Sequence, residues 1–246
     1  MTFIIAEVGT AHEGTLDLAE LHVDAACKTG ADAVKFQCYK DAGFLRADEP
    51  PERARFFLDN RLGEKAWRKL AVYCHSKGIE FMASAFDRWA VDLLTDIGVH
   101  RYKVASRTLR DDPGLVEYIV QMGKPVYISL GMARNWEFLN RLAYTNRHAA
   151  NNISVLHCVS QYPTLPKDAE IGEIPVLIDC GWYVGYSDHT IGITAPIAAV
   201  ALGATVIEKH FRLEPGNPAH PDHCCSLNPQ QFTEMVFRIR ELELML

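Results

Sequence analysis

Nowhere in this sequence do about 18 apolar residues follow one another, so no segment is long enough to cross a bilayer as a helix. The opening Met1-Thr-Phe-Ile-Ile-Ala-Glu also lacks the basic stretch and apolar run of an export signal. No basic block or stripe interrupts a chain of formal net charge −6. That argues against nucleic acid and against an anionic membrane as partners, and it confines any anion site to a local pocket. HExxH and paired CxxC signatures are missing, and the loop Gly9-Thr-Ala-His-Glu-Gly has the wrong spacing for a dinucleotide fingerprint, so no nicotinamide cofactor is expected. The seven cysteines are odd in number and follow no disulfide-like spacing, which points to free thiols in a reducing, cytoplasmic setting. Adjacent Cys224 and Cys225 are read as buried small hydrophobes.

What remains is ordinary composition in a particular order. With 48% hydrophobic and 23% charged residues, the chain can build a substantial core. Its 246 residues match the roughly 250 of one eight-stranded α/β barrel. Eight short apolar runs alternate with amphipathic stretches: Phe3 to Ala6, Ala33 to Phe36, Ile79 to Ala83, Arg101 to Val104, Pro125 to Ile128, Ile153 to Leu156, Tyr183 to Gly185 and Thr205 to Ile207. Helical patterns cover Leu16 to Lys28, Glu64 to Lys77, Trp89 to Ile97, Pro113 to Met122, Asn135 to Ala149, Thr194 to Leu202 and Pro229 to Leu244, with Asp168 to Ile178 the weakest. Glycines such as Gly78 and Gly98 stop helices just before the next strand. Residues 1–246 are therefore expected to form one (β/α)₈ TIM barrel, with an open doubly wound sheet as the alternative. The long irregular stretches, Lys40 to Leu62 and Leu213 to Leu227, follow strands and so fall on the side where barrel enzymes keep their chemistry.

In such a barrel the residues at the carboxyl ends of the strands face the mouth. Here these are Glu7; Lys35 and Gln37; Ser84; Lys103 and Ser106; Ser129; His157, Ser160 and Tyr162; Ser187, Asp188 and His189; and Glu208, Lys209 and His210. Lys35, Lys103, Ser106, Ser129 and Ser187 form a candidate anion set, because a buried phosphate or carboxylate needs positive charge and several donors. Each lysine taken singly could be a snorkelling surface residue, but the apolar flanks of both favour an inward position. His189 and His210 end consecutive strands and are placed to share one metal ion, with Glu7 in reach of it or its water and Asp222 and His223 nearby. His12, His22, His75, His100, His148 and His220 carry no supporting pattern and are expected in loops or at the surface.

Almost end to end, the chain resembles the barrel domain of the sialic acid synthase family, which includes legionaminic and pseudaminic acid synthases. The likeness is carried by Ile4-Ile-Ala-Glu-Val-Gly with His12 and Gly14, Gly30-Ala-Asp-Ala-Val-Lys-Phe-Gln, Lys103-Val-Ala-Ser, Gly123-Lys-Pro-Val, Ser129-Leu-Gly-Met, Leu156-His-Cys with Tyr162-Pro, Gly185-Tyr-Ser-Asp-His-Thr-Ile-Gly, Gly203-Ala-Thr-Val-Ile-Glu-Lys-His-Phe and Pro221-Asp-His. The resemblance implies condensation of phosphoenolpyruvate with a sugar aldehyde, release of phosphate by carbon–oxygen cleavage, and a manganese or magnesium ion that polarises the aldehyde. It also implies roles. His189 and His210 would ligate the metal; Lys103, Ser106, Ser129 and Ser187 would cradle the phosphate; Lys35 and Ser84 would hold the carboxylate; Glu7 would lie by the metal and aldehyde; Gln37, Tyr162 and Asp222 would meet the sugar.

Three departures bear on the acceptor. Ser106-Arg-Thr108 replaces a family pattern that carries a carboxylate at the third position, Ser160 stands where asparagine is frequent, and the sequence ends at Leu246 where full-length relatives continue into a small antifreeze-like domain. That ending leads to the expectation of no such domain here. A modified or simpler aldose is the acceptor expected. The alternatives are a metal-dependent aldolase or lyase on a small keto acid and a catalytically idle sugar-acid-binding homologue. A homodimer through the barrel stays open.

Overall fold

The computed structural model describes residues 1–133, 135–145, 153–217 and 219–246. Eight parallel strands close on themselves in sequence order: β1 Phe3–Gly9, β2 Ala33–Cys38, β3 Glu80–Ala85, β4 Tyr102–Val104, β5 Val126–Ser129, β6 Ile153–His157, β7 Tyr183–Asp188 and β8 Val206–His210. The barrel closes where β1 pairs with β8, Glu7 lying opposite His210. The single-barrel expectation holds, and the open sheet is excluded. Around it run α1 Leu16–Cys27, α2 Pro51–Asp59, α3 Glu64–Lys77, α4 Arg88–Ile97, α5 Ser106–Asp111, α6 Pro113–Gln121, α7 Trp136–Thr145, α8 Glu173–Asp179, α9 Thr194–Ala201 and α10 Pro229–Glu243. No helix among the described residues is long and apolar enough to cross a membrane.

Helices α3 and α4 stop where expected, at Gly78 and Gly98, whose φ of 73° and 83° lies in the left-handed region that a side chain disfavours. Four other expectations shift. The stretch expected to be irregular after β2 contains α2, a short helix that starts on Pro51 and has no fully buried residue. The six-residue α5 begins immediately after β4. The weak helix resolves into a 3₁₀ turn at Pro166–Asp168 followed by α8. The helical pattern expected over Asn135 to Ala149 is helical over Trp136–Thr145, and the rest of that span lies outside the described residues, as does His148.

Strands β1, β2, β3, β7 and β8 run two to three residues further than their apolar runs, and the added residues include Glu7, Gln37, Ser84, Ser187 and Glu208, while β4 starts one residue late. An apolar criterion stops early because the upper barrel interior is polar. Below it, Ile5, Ala33, Met82, Tyr127, Leu156 and Val206, with Phe3 packed against them, plug the amino-terminal end. Burial of each larger plug side chain is worth roughly 1.5–3 kcal/mol. Two residues along each strand, and so on the same face, Ile5 gives way to Glu7, Ala33 to Lys35, Met82 to Ser84, Tyr127 to Ser129 and Val206 to Glu208. The outward faces pack beneath the helices in one large core that includes Ile4, Val34, Phe81, Tyr102, Val126 and Ile207.

Candidate active site at the carboxyl-terminal mouth of the barrel

The polar layer above the plug is a connected set of buried charges. Lys35 Nζ lies 2.7 Å from Glu7 Oε2, 3.1 Å from Ser84 Oγ and 3.5 Å from Glu208 Oε2. Lys103 Nζ donates to Ser129 Oγ at 2.7 Å and to the Val104 carbonyl at 3.1 Å, and sits 3.8 Å from Glu208 Oε1. Ser187 Oγ donates to that same Glu208 oxygen at 2.9 Å. Glu208 is thus the hub of the layer, a position to which its strand-end placement alone assigned no role. Counting two residues from either Val206 or His210 would have put it on the inward face.

The same alternation corrects three other strand-end residues. Asp188, Lys209 and His157 are buried but do not face the mouth. Asp188 and Lys209 pair with each other on the outer side of the sheet, and His157 bonds the Ala169 carbonyl at 2.9 Å.

Burial pushes the Glu7 carboxyl up to about 7, Glu208 adding to the rise and Lys35 opposing it. Glu208 is lowered instead: burial opposes its charge, but Lys103, Lys35 and the Ser187 hydroxyl together outweigh it. Lys35 is held above its usual value by Glu208 and Glu7 against the cost of burial, whereas burial lowers Lys103. Glu7 is therefore the member of the layer that titrates near neutrality. Neither Glu7 Oε2 nor Glu208 Oε2 receives a well-directed hydrogen bond, although both face Lys35.

Beside this layer, the rings of His189 and His210 lie 5.4 Å apart, with Tyr162 4.1 Å from the first and 5.8 Å from the second. His189 Nδ1 donates to the Val159 carbonyl at 2.7 Å, which leaves Nε2 with its lone pair. Asp222 Oδ2 is 3.9 Å from His210 Nδ1. Burial pushes both histidines below their usual value, His210 further because His189 and Lys35 add to the effect. Both are neutral at pH 7, the form that ligates metals. No group of three metal-ligating residues occurs among the described residues. The donor set fits an ion held by two imidazoles with other positions left open.

Gly9, at φ 60°, marks where the two regions meet. A methyl group there would lie 3.3 Å from Gln37 Nε2, 3.4 Å from Asp222 Oδ2 and 3.5 Å from Glu7 Oε1, so the three side chains converge on one point. Burial lifts Asp222 to about 6. Across the mouth, the Ser106 and Ser160 hydroxyls are 3.1 Å apart. Thr108 is buried on α5, and neighbouring Arg107 pairs with Glu49 from the connection after β2. A cavity of about 770 Å³ at the opposite end, between α3 and α4, contains none of the expected site residues.

His12, His22 and His220 are buried, at 0%, 2% and 4% exposure; His12 and His220 lie in loops, one of the two settings expected, while His22 lies on the buried face of α1 against expectation, and His75 and His100 are exposed as expected. Cys225 is buried as expected but Cys224 is exposed. His223 stacks on His220 at 4.6 Å and bonds the Asn217 carbonyl rather than joining the histidine pair. Burial lowers His12 to about 3 and His22 and His220 to about 4.

These groups titrate near 6.5 when unfolded, so below that pH the unfolded chain binds more protons and stability falls with falling pH. Glu7 and Asp222, raised in the fold, act in the opposite sense. His189 and His210, also lowered, add to the first group, so the balance is at least about one proton and the protein is expected to lose about 1.4 kcal/mol per pH unit or more between pH 6.5 and 5. Urea midpoints at the two pH values measure this. His22→Gln keeps a donor for the Leu18 carbonyl, bonded at 2.8 Å, and should flatten the slope. Equal midpoints in the unsubstituted protein would contradict the account.

Comparison with known proteins points to one family and the same fold. The model of the NeuB family matches residues 22–246. An uncharacterized protein of Methanocaldococcus jannaschii, MJ1065, is 41% identical over 246 residues, covering 100% of this chain and 72% of that protein. The N,N'-diacetyllegionaminic acid synthase of Legionella pneumophila is 36% identical over 261 residues, covering 99% and 73%. The crystal structure of the N-acetylneuraminic acid synthetase from Leptospira borgpetersenii, in complex with citrate, superposes with a TM-score of 0.90 at 31% identity, covering 99% of this chain and 84% of that one.

Proposed function

This chain belongs to the NeuB family, and from that premise we propose that it joins phosphoenolpyruvate to a sugar aldehyde, giving a 2-keto-3-deoxy sugar acid and phosphate. The observation that carries the reading is the buried pair Lys35 and Lys103, ringed by Ser84, Ser129 and Ser187, immediately beside two neutral histidines. Two ammonium groups taken out of water need an anion to justify their burial, and phosphoenolpyruvate carries two anionic groups. Lys103, Ser129, Ser187 and Ser106 meet the phosphate, while Lys35 and Ser84 meet the carboxylate. Gln37, Ser160, Tyr162 and Asp222 line the place of the sugar.

In the reaction, the terminal carbon of phosphoenolpyruvate bonds to the aldehyde carbon. Water adds at the adjacent, positively polarised carbon, and phosphate leaves as the carbon–oxygen bond breaks. Glu7, raised to about 7, can hold a proton or accept one at neutral pH. It is the residue assigned to the proton that the new hydroxyl gains. Fixed donors around the phosphate need no reorganisation as charge shifts toward it, an effect worth several kcal/mol in a dry site. His189 and His210 would hold a manganese or magnesium ion, which when bound supplies Lewis-acid polarisation of the aldehyde oxygen.

The test is phosphate release from phosphoenolpyruvate with manganese and a panel of aldoses that includes N-acetylmannosamine and unsubstituted mannose. Release that needs both metal and sugar is expected. Phosphoenolpyruvate binding without release, whatever the sugar, would overturn the catalytic reading in favour of a binding role.

A further inference from the structure

Behind the histidine pair, on the outer face of the sheet, lies a closed network that the reaction scheme does not use. Lys209 Nζ donates to Asp188 Oδ2 and to the Thr190 carbonyl, each at 2.5 Å. Asp188 Oδ1 accepts from the Tyr186 hydroxyl and from the Thr190 amide, both at 2.9 Å, and Oδ2 also accepts from Thr190 Oγ1 at 3.1 Å. The Lys209 and Asp188 side chains are 0% exposed, and they stand directly opposite each other in the β7–β8 ladder. Each charged atom of the pair is met.

The placement is the telling feature. His189 lies between Asp188 and Thr190, both of which are tied into the network, and His210 directly follows Lys209. His189 is fixed a second time by its Nδ1 bond to the Val159 carbonyl, and a third by the Thr164 amide, which donates to the His189 carbonyl at 2.9 Å. Stability alone does not call for such a pair, since a buried ion pair is commonly no better than apolar residues of the same size. Geometry does, because a two-histidine site gains affinity when its imidazoles are held at the spacing the ion requires.

We infer that Lys209, Asp188 and Tyr186 are positioning residues that staple the ends of β7 and β8 and set the separation and orientation of His189 and His210 for a divalent cation. The inference rests on the proposed metal role of the two histidines. The pair is neutral as a whole, so it fixes the backbone without adding net charge behind the cation. An Asp188→Asn/Lys209→Gln double variant keeps hydrogen-bonding groups but loses the charge clamp. Tyr186→Phe removes one bond to Asp188 and leaves no charge unpaired.

The experiment is titration with Mn²⁺ alone, followed by the electron paramagnetic resonance signal of the free ion, beside metal-free phosphoenolpyruvate binding for each protein. Thr95→Val is the control, because it removes a half-buried hydroxyl bonded to Tyr102 at 2.6 Å, far from β7 and β8. Manganese affinity is expected to fall about 10-fold in the double variant and a few-fold in Tyr186→Phe. Thr95→Val should bind manganese as the unsubstituted protein does, and all should retain phosphoenolpyruvate affinity. Unchanged manganese affinity in both network variants overturns the inference, and so does a parallel loss of phosphoenolpyruvate binding, which marks general loosening. If the double variant does not fold, Tyr186→Phe decides. Should the unsubstituted protein bind manganese no better than a His189→Ala/His210→Ala variant, the metal reading itself fails, and that outcome is distinct from the others.

Discussion

His189→Ala and His210→Ala are each expected to abolish stimulation by manganese and to lower turnover by about 100-fold or more, the scale of several kcal/mol of lost Lewis-acid assistance. Both rings are neutral and buried, and His189 keeps Nε2 available by committing Nδ1 to the Val159 carbonyl. Two protein ligands leave little redundancy, so either substitution should suffice. The measurement is initial rate against manganese concentration, with phosphoenolpyruvate affinity followed separately. That affinity should change little, because Lys35 and Lys103 remain. Normal manganese activation in either variant would remove that histidine from the ligand set.

The second large effect belongs to Lys103. Lys103→Ala should weaken phosphoenolpyruvate binding by roughly 10- to 100-fold, since a hydrogen bond to a charged group contributes about 1.5–3 kcal/mol. Lys103→Met fills more of the same space without the charge and should show the same loss, which separates charge from packing. In either variant Glu208 keeps Lys35 at 3.5 Å and the Ser187 hydroxyl at 2.9 Å, so the barrel should still fold. Isothermal titration with phosphoenolpyruvate reads the effect. Unimpaired affinity in Lys103→Met would take this lysine out of the anion cradle.

The barrel was legible in the sequence because eight apolar runs alternate with helical patterns, and glycines such as Gly78 and Gly98 stand where helices must stop. Helix α2 was not, since its nine residues make little more than two turns and show little of a repeating pattern. The lysines and serines of the polar layer were legible as strand-end residues. Their orientation was harder, because strand ends alone do not say which of two successive polar residues faces inward. Glu208 and Lys209 make the point: they are neighbours, both buried, yet Glu208 joins Lys35 and Lys103 inside the barrel while Lys209 pairs with Asp188 outside it. The buried state of His12 and His220 had no sequence signal either, whereas His22 shares the helical spacing of Ala19, Val23 and Ala26 on α1 and could have been read from it. His12 and His220 sit in loops, and their burial comes from elements distant in sequence, as where His12 meets Trp67 and His220 meets Phe56.

Phosphoenolpyruvate carrying ¹⁸O in its bridging oxygen, turned over with metal and an accepted aldose, tests the central claim most directly. Condensation by carbon–oxygen cleavage predicts that the label leaves with phosphate and that no pyruvate accumulates. Label retained in pyruvate, or phosphoenolpyruvate left intact with every sugar, would contradict it.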